Sequence, residues 1–504
     1  MKTIYLLFDS LNRSALSLYG GEITTPNFER LAKRSTIMDQ HYIGSMPCMP
    51  ARRDMHTGRL NFFHRSWGPL EPFDDSFVVN MRNDGIYTHL TSDHNHYFED
   101  GGATYHNRYN TYDFIRGQES DAWVAMVKPP LEKFREKYHP KQFGAERAPM
   151  RIQGMINETV FKNERDYPLH KCFDAALNFL ESNYKEESWF LHLECFDPHE
   201  PFAAPKRFRS ASDFDFSGQE YTWPQYQKSS EDTEEDIAKV RANYMALVRF
   251  CDEQLGRLLD FLDKNSMWEE TTIILTTDHG FMLGEQDWWG KLRMPFFNEI
   301  AHIPLIIHDP NTPGSWGKRI SKLTQTTDIS ATMLDLYELP PCGHSTGKSI
   351  LPLIRSTADS IRKVAVYGVF GGAINATDGE FTYFLYPQNK KENQLYEYTL
   401  MPMHSTSLFE IRELKNAELV RGFNFTKGSP LLKIPALDDA RRPPMQGGGF
   451  ADTNTRLYDL RKDPKQLKPF RNPAVEKRLI KSIINELELH EAPKEIYDIY
   501  GLND

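Results

Sequence analysis

Cysteine is scarce in this chain. Cys48, Cys172, Cys195, Cys251 and Cys342 are the only five in 504 residues, and they are scattered. An odd, dispersed set excludes a disulfide framework and points to reduced thiols. Long apolar runs are missing as well: none approaches the roughly 18 residues a membrane span needs, so no membrane partner is expected. A basic excess is also absent. The 60 Lys+Arg are outnumbered by 70 Asp+Glu, for a formal net charge of -10 at pH 7. That balance argues against a dedicated nucleic-acid binder, and an anionic ligand would have to be met by local positive charge. Internal repeats are not found. No signal peptide is expected in the chain as written, because Met1 leads directly into "TIYLLFDS", which reads as a core strand. The chain as written is expected in the cytoplasm, and in the periplasm or outside the cell if an export signal precedes it.

What is present fits a globular enzyme. Hydrophobic residues make up 39% and charged residues 26%, a normal balance for a folded chain. The length suffices for one large α/β core plus a smaller region. Short apolar or β-rich runs at 3–8, 86–91, 189–196, 271–277 and 303–308 alternate with helical patterns at 173–184 and 236–265. In the 236–265 segment, apolar residues recur at intervals of three and four, as on one face of a helix. Such alternation predicts a large, mostly parallel sheet with helices on both faces, over residues 1–360. From about residue 361 the pattern changes to successive antiparallel strands and a late helix near 474–490. This predicts a smaller C-terminal α+β subdomain, 361–504. The polar stretch 204–234 reads as a long surface loop.

In parallel α/β sheets, ligands bind beyond the carboxyl ends of the strands. Here one strand ends in Asp9-Ser10 and another in Ser92-Asp93-His94-Asn95-His96. Two more end in Asp197-Pro198-His199-Glu200 and Asp278-His279. A single such aspartate is commonly a helix cap. Four strand ends delivering carboxylates or imidazoles to one edge are harder to explain that way. Asp9, Asp278 and His279 make a plausible site for a divalent cation, since oxygen donors suit a hard ion and one imidazole is tolerated.

The stretch "SMPCMPARRDMHTGR" (45–59) places Cys48 at the start of a short helix, predicted over 49–57. Pro50 suits the first turn and Gly58 the stop. Arg52, four residues on, shares the face of Cys48. Free N–H groups at a helix start attract anions, and a thiol there is expected to have a lowered pKa. A thiol-phosphatase loop is excluded, because Asp54 stands where its arginine is required.

With these residues assembled, the sequence resembles the formylglycine-dependent sulfatases of the alkaline-phosphatase superfamily. Their C-x-P-x-R…T-G-R signature stands here as Cys48-Met49-Pro50-Ala51-Arg52…Thr57-Gly58-Arg59. "LLFDSLNRSALSLYGG", "TPNFERLA", "TTDHGFMLGE" with "WGK", "IPLIIHDP" and "LYDLRKDP" follow the same family in order.

The resemblance implies a sulfatase acting on a sulfate monoester, with a glycosaminoglycan or related glycan as the expected alcohol. It implies that a formylglycine-generating enzyme converts Cys48 to formylglycine, whose hydrate is the nucleophile. It further implies Ca²⁺, with Mn²⁺ or another divalent ion as substitute, on Asp9, Asp278, His279 and the modified Cys48. Arg52 would hold the hydrate. Lys291 and His199 would contact the sulfate and the ester oxygen.

Two departures stand out. Ser10 replaces a common second aspartate, and Ser92–His96 replaces the usual G-K-W-H, so that the lysine expected near the anion is missing and His94 or His96 is expected to serve as base instead. Both leave room for a phosphonate monoester hydrolase or phosphodiesterase on the same scaffold. A non-catalytic binding protein is the rival from another class, weakened by the joint presence of all the residues above. Arg65, Trp67, the 115–123 segment, His404, "RRPP" (441–444) and "QGGGF" (446–450) are minor candidates for substrate contact.

Overall fold

The structure is a computed structural model, and it describes residues 1–144, 148–210, 214–292, 294–388, 394–437 and 454–503. Strands β1 (Lys2–Phe8), β2 (Thr36–Tyr42), β3 (Tyr87–Ser92), β4 (Thr111–Phe114), β5 (Trp189–Cys195) and β6 (Thr271–Thr276) come first. A small hairpin of β7 (Met282–Leu283) and β8 (Trp289–Gly290) follows, then β9 (Leu305–His308) and β10 (Arg319–Gln325). Eight of these form one sheet in the order β10-β2-β9-β6-β1-β5-β3-β4. Within it β9 runs antiparallel to both of its neighbours, and every other pairing is parallel. The predicted class, a large mostly parallel sheet flanked by helices with smaller antiparallel sheets after it, is what the chain adopts.

Alternation along β1 explains the layering, because successive side chains point to opposite faces. Ile4, Leu6 and Phe8 join Leu191, Leu193, Ile273 and Leu275 on one face. There they pack under the helices Pro26–Lys33, Pro168–Asn183 and Glu234–Lys264, through residues such as Phe28, Phe173, Leu255 and Leu259. Tyr5 and Leu7 join Phe190 and Ile274 on the other face, against Met49, Phe77, Met81 and Met333. Both faces are covered, so the central strands read as continuous apolar runs.

After residue 361 the chain builds β11 (Ala365–Gly368), β12 (Ile374–Thr377) and β13 (Phe381–Leu385). Two more sets follow: β14 (Tyr396–Thr399), β15 (Glu418–Val420) and β16 (Leu431–Pro435), then β17 (Arg456–Asp459). They form an antiparallel sheet β11-β12-β13-β17 and a three-stranded sheet β14-β16-β15. The late helix Pro473–Leu489 packs Leu479, Ile483 and Leu487 on the first of these, together with Phe62 and Phe63. A bridge between Ser45 and Gly368 sets β11 beside the segment that leads into Cys48. Among the described residues no helix is long and apolar enough to cross a membrane.

The 204–234 stretch is not simply a surface loop. It contains a helix, Lys206–Ser210, and buries Tyr221 at 0% and Trp223 at 2% exposure. Its aromatics are needed inside, and they outweigh its many charges.

The helix that carries the signature runs Cys48–Thr57 and ends at Gly58, whose φ of 69° places it in the left-handed region that glycine adopts freely. All ten of its residues are buried. Asp54 fixes it to the chain on either side. Its carboxylate accepts from Ser45 N at 2.6 Å, Ser45 Oγ at 2.9 Å, Asn61 N at 3.0 Å and Asn61 Nδ2 at 2.6 Å. Replacing Asp54 with Ala strands these donors in the interior, where each unpaired group costs about 1–3 kcal/mol. Asp54→Ala is therefore expected to lose about 3 kcal/mol or more, read as a lower urea midpoint than that of Asp54→Asn.

Candidate active site

Each predicted strand end arrives at one edge of the sheet. Asp9 follows β1, His94 follows β3, His199 follows β5, and Asp278 with His279 follows β6. Register explains this, since β1 pairs residue for residue with both β5 and β6, so their last residues lie side by side. Cys48 enters from the helix laid across those ends. Asp9, Cys48, Asp278 and His279 each offer a donor atom within 4.8 Å of the others, and all four are buried. His279 Nε2 lies 3.2 Å from Cys48 Sγ, while its Nδ1 faces the Gly280 carbonyl at 3.0 Å.

Arg52 holds this cluster together. Its Nη2 donates to Asp9 Oδ2 at 2.8 Å, Nη1 to Asp278 Oδ2 at 2.7 Å and Nε to Glu194 Oε1 at 2.7 Å. Nη1 also reaches the Cys48 carbonyl oxygen at 2.9 Å. Burial pushes the Asp9 carboxyl up, but Arg52 and then Lys291 overcome it and hold Asp9 well below the usual carboxylate range.

Cys48 behaves contrary to expectation. Burial, then the neighbouring Asp9, raises its thiol well above the usual value. The helix start was expected to lower it, but adjacent carboxylates and the loss of water dominate at this depth.

A second arm comes from the β7–β8 hairpin and the loop after β5. Lys291, directly after β8, donates from Nζ to Ser10 Oγ at 2.9 Å and lies 3.8 Å from Asp9 Oδ1 and 3.6 Å from Glu200 Oε2. Ser10 in turn donates to Asp9 Oδ1 at 2.8 Å. His199 Nδ1 sits 2.6 Å from the Glu200 carbonyl oxygen and 3.2 Å from its Oε2. Tyr226, from the 204–234 stretch, donates its hydroxyl to Glu200 Oε1. Burial raises the Glu200 carboxyl, but His199 and Lys291 outweigh it and bring it down to about 2.

His94 is fully buried, with Nε2 3.9 Å from Asp9 Oδ2, and neither ring nitrogen has a hydrogen-bond partner. His96 is held differently, with Nδ1 2.6 Å from Glu99 and Trp67 edge-on at 5.3 Å. The 115–123 segment does reach this end of the site. Gln118 Nε2 donates to Asp93 Oδ2 at 3.1 Å, and Glu119 lies 3.9 Å from His96. Arg65 is buried against Glu71 at 3.5 Å, and His404 pairs with Glu413 at 2.9 Å, so both have structural partners. Residues 441–444 and 446–450 lie outside the described residues.

Sequence reasoning missed Glu194, Glu200 and Tyr226. A charged residue inside the apolar run "WFLHLECF" was the available signal for Glu194. Adjacency to His199 was the signal for Glu200. Nothing in the sequence pairs Tyr226 with either.

The charges test whether a cation fits. Asp9, Asp278 and Glu194 are buried around the single guanidinium of Arg52, while Glu200 faces Lys291 and His199. The three carboxylates exceed the one guanidinium they share by two negative charges, which one divalent ion would balance. The donors around Asp9 and Asp278 are of the hard type such an ion prefers.

A buried acid cluster with a cation-sized gathering of donors, beside a lysine and a histidine, is the equipment of a hydrolytic centre. The sulfatase family model matches residues 2–339, and the chain belongs to that family of sulfuric ester hydrolases. It is 25% identical over 429 residues to a choline-sulfatase of Rhizobium meliloti, covering 76% of this chain and 77% of the relative. An N-acetylglucosamine-6-O-sulfatase of Bacteroides thetaiotaomicron is 24% identical over 426 residues, covering 72% and 73%. In fold the chain is similar to a phosphonate monoester hydrolase of Agrobacterium radiobacter, with a TM-score of 0.66 and 19% identity over 97% of this chain and 96% of that one.

Chelation tests the cation directly. Removing divalent ions is expected to lower the melting temperature, and adding Ca²⁺ to restore it. An ion present at 100 times its Kd is worth about 2.7 kcal/mol. Asp278→Asn is expected to abolish that Ca²⁺-dependent shift and to lower the metal content measured by mass spectrometry.

Proposed function

We propose that this protein hydrolyses a sulfate monoester on a carbohydrate, with the residue at position 48 as nucleophile in its formylglycine form. The observation that carries the reading is the meeting of Cys48 with Asp9, Asp278 and His279, and of Lys291 with His199 beside it. The N-acetylglucosamine-6-O-sulfatase among the relatives supports a sugar as the alcohol.

A formylglycine at 48, made by a formylglycine-generating enzyme, supplies a geminal diol as nucleophile. A divalent cation, Ca²⁺ in the first instance, would be held by Asp9, Asp278, His279 and residue 48, and supplies fixed positive charge to a sulfate oxygen. Lys291 adds a second positive charge at the opening of that cluster. It is anchored by Ser10 Oγ and Glu200, which keep its Nζ from turning away. His199 has Nδ1 engaged by the Glu200 carbonyl, so Nε2 is the atom free to give a proton to the departing alkoxide. The Glu200 carboxylate, pinned by Tyr226, stabilises the charged imidazole, much as an acid orients the histidine of a hydrolase triad. Arg52, committed to three carboxylates, acts by holding the cluster in register. His94, buried and without a hydrogen-bond partner, would take a proton from the diol as base.

One feature favours a second reading. The fold is shared with a phosphonate monoester hydrolase, whose substrate class carries the same single negative charge as a sulfate monoester.

Matching 4-nitrophenyl sulfate against 4-nitrophenyl phenylphosphonate, with Ca²⁺ and with Mn²⁺, separates the two. Faster turnover of the sulfate is expected, and a preference for the phosphonate ester would overturn the sulfatase reading. The tryptic peptide spanning residue 48 is expected about 18 Da lighter than its cysteine form, as exchange of a thiol for an aldehyde demands, and Cys48→Ala should leave only background turnover. Glu200→Gln is expected to lower kcat roughly 10- to 100-fold with little change in KM. The loss should be larger for alkyl than for nitrophenyl esters, because poor leaving groups depend most on the proton from His199.

A further inference from the structure

Far from the catalytic edge, the chain has a basic cavity that none of the foregoing explains. It is an open hollow of about 530 Å³ between the start of β10, the turn before it at 311–318 and the segment 353–359. Lys318, Arg319, Lys322 and Arg355 line it, with Asp359 as the only acidic residue in its wall. Arg319 is committed to Asp39, at 2.5 Å from Nη2. Lys318, Lys322 and Arg355 are exposed and form no ion pair among the described residues. Three unneutralised cations around one hollow are unusual in a chain whose formal net charge is -10.

Charge on an edge strand can serve merely to discourage strand pairing. That purpose does not require a cavity, nor Arg355, which comes from outside the strand. Small polar residues, Thr312, Ser315 and Ser356, complete the wall between the cations.

We propose that this cavity is a second binding site, for the anionic groups of a sulfated saccharide chain, distinct from the site where the ester is cleaved. The assignment of a saccharide rests on the proposed carbohydrate substrate; the assignment of an anion rests on the cavity alone. One feature favours a sugar over a single-stranded nucleic acid: no aromatic side chain lines the cavity to stack on a base. Cations and hydroxyls around a hollow suit sulfate groups carried on a polar ring.

The placement gives the site a purpose. The register carries Arg319, at the start of β10, through Ile37, Ile306 and Leu275 to Leu6 of β1. Three residues along the strands and four strands across, at about 3.3 Å and 4.8 Å per step, put the start of β10 roughly 22 Å from Asp9. A monosaccharide ester cannot reach both. A long chain held there remains near the catalytic edge between cleavage events, which raises its effective concentration.

The test uses the full-length enzyme and a size-defined heparin decasaccharide as probe, with binding measured by calorimetry at low salt. Lys318→Glu/Lys322→Glu/Arg355→Glu is expected to weaken binding at least roughly tenfold, with a shallower salt dependence. Turnover of 4-nitrophenyl sulfate should be unchanged, which also shows that the variant folds. Reversal of three exposed lysines elsewhere, Lys128, Lys133 and Lys264, should leave the decasaccharide affinity within about twofold. Equal weakening by both triple variants, or by neither, would overturn the site. Equally tight binding of a DNA oligonucleotide of matched charge would overturn its assignment to saccharides. Failure to turn over any sulfate ester, with cavity-dependent binding intact, would count against the catalytic reading and leave this site standing.

Discussion

Everything at the candidate active site depends on one guanidinium. Arg52 binds three buried carboxylates that arrive from three strands: Asp9 after β1, Glu194 within β5 and Asp278 after β6. Three negative charges at such separations repel strongly once water is excluded. The planar fork of arginine is the side chain able to meet all three with directed hydrogen bonds, and lysine could not. The same residue belongs to the helix that carries Cys48, so the electrostatic requirement also sets where that helix lies on the sheet. Catalytic geometry and the packing of helix on sheet are thus fixed by one group.

This construction makes a site rich in charge without being uniformly positive. Arg52 neutralises the outer oxygens of the acids, leaving a surplus that a divalent cation can satisfy. Lys291 stands on the other side, steadied by Ser10 and Glu200. Glu200 serves two neighbours, lying close to both Lys291 and His199, and Tyr226 pins it from a loop otherwise rich in charge. An anion entering here meets positive charge that is already oriented, and such preorganisation is the usual source of rate enhancement in ester hydrolysis.

Much of this was legible in the sequence. The central strands are apolar throughout because both sheet faces are covered, and that made β1, β5 and β6 readable together with the acids at their ends. Pro50 and Gly58 marked the short helix within one residue of its observed start. Other strands were not legible. β2 carries Asp39 and Gln40 in its middle, and β10 is an edge strand with an exposed, charged first half, so neither shows the apolar run of a central strand. The elevated Cys48 thiol illustrates a deeper limit. A local rule about helix starts gave one sign, and burial, followed by the carboxylates brought from residues 9 and 278, gave the other. Long-range partners of this kind, Tyr226 with Glu200 among them, leave no periodicity to read.

Hydrolysis at this site requires a divalent cation and residue 48 to share one donor cluster. A crystal of the mature enzyme soaked in Mn²⁺, with anomalous diffraction collected at the manganese edge, tests this most directly. A single strong peak is expected within coordination distance of the side chains at 9, 48, 278 and 279, with Arg52 still bound to its three acids. A peak elsewhere with none at that cluster, or side chain 48 turned away from it, would contradict this requirement.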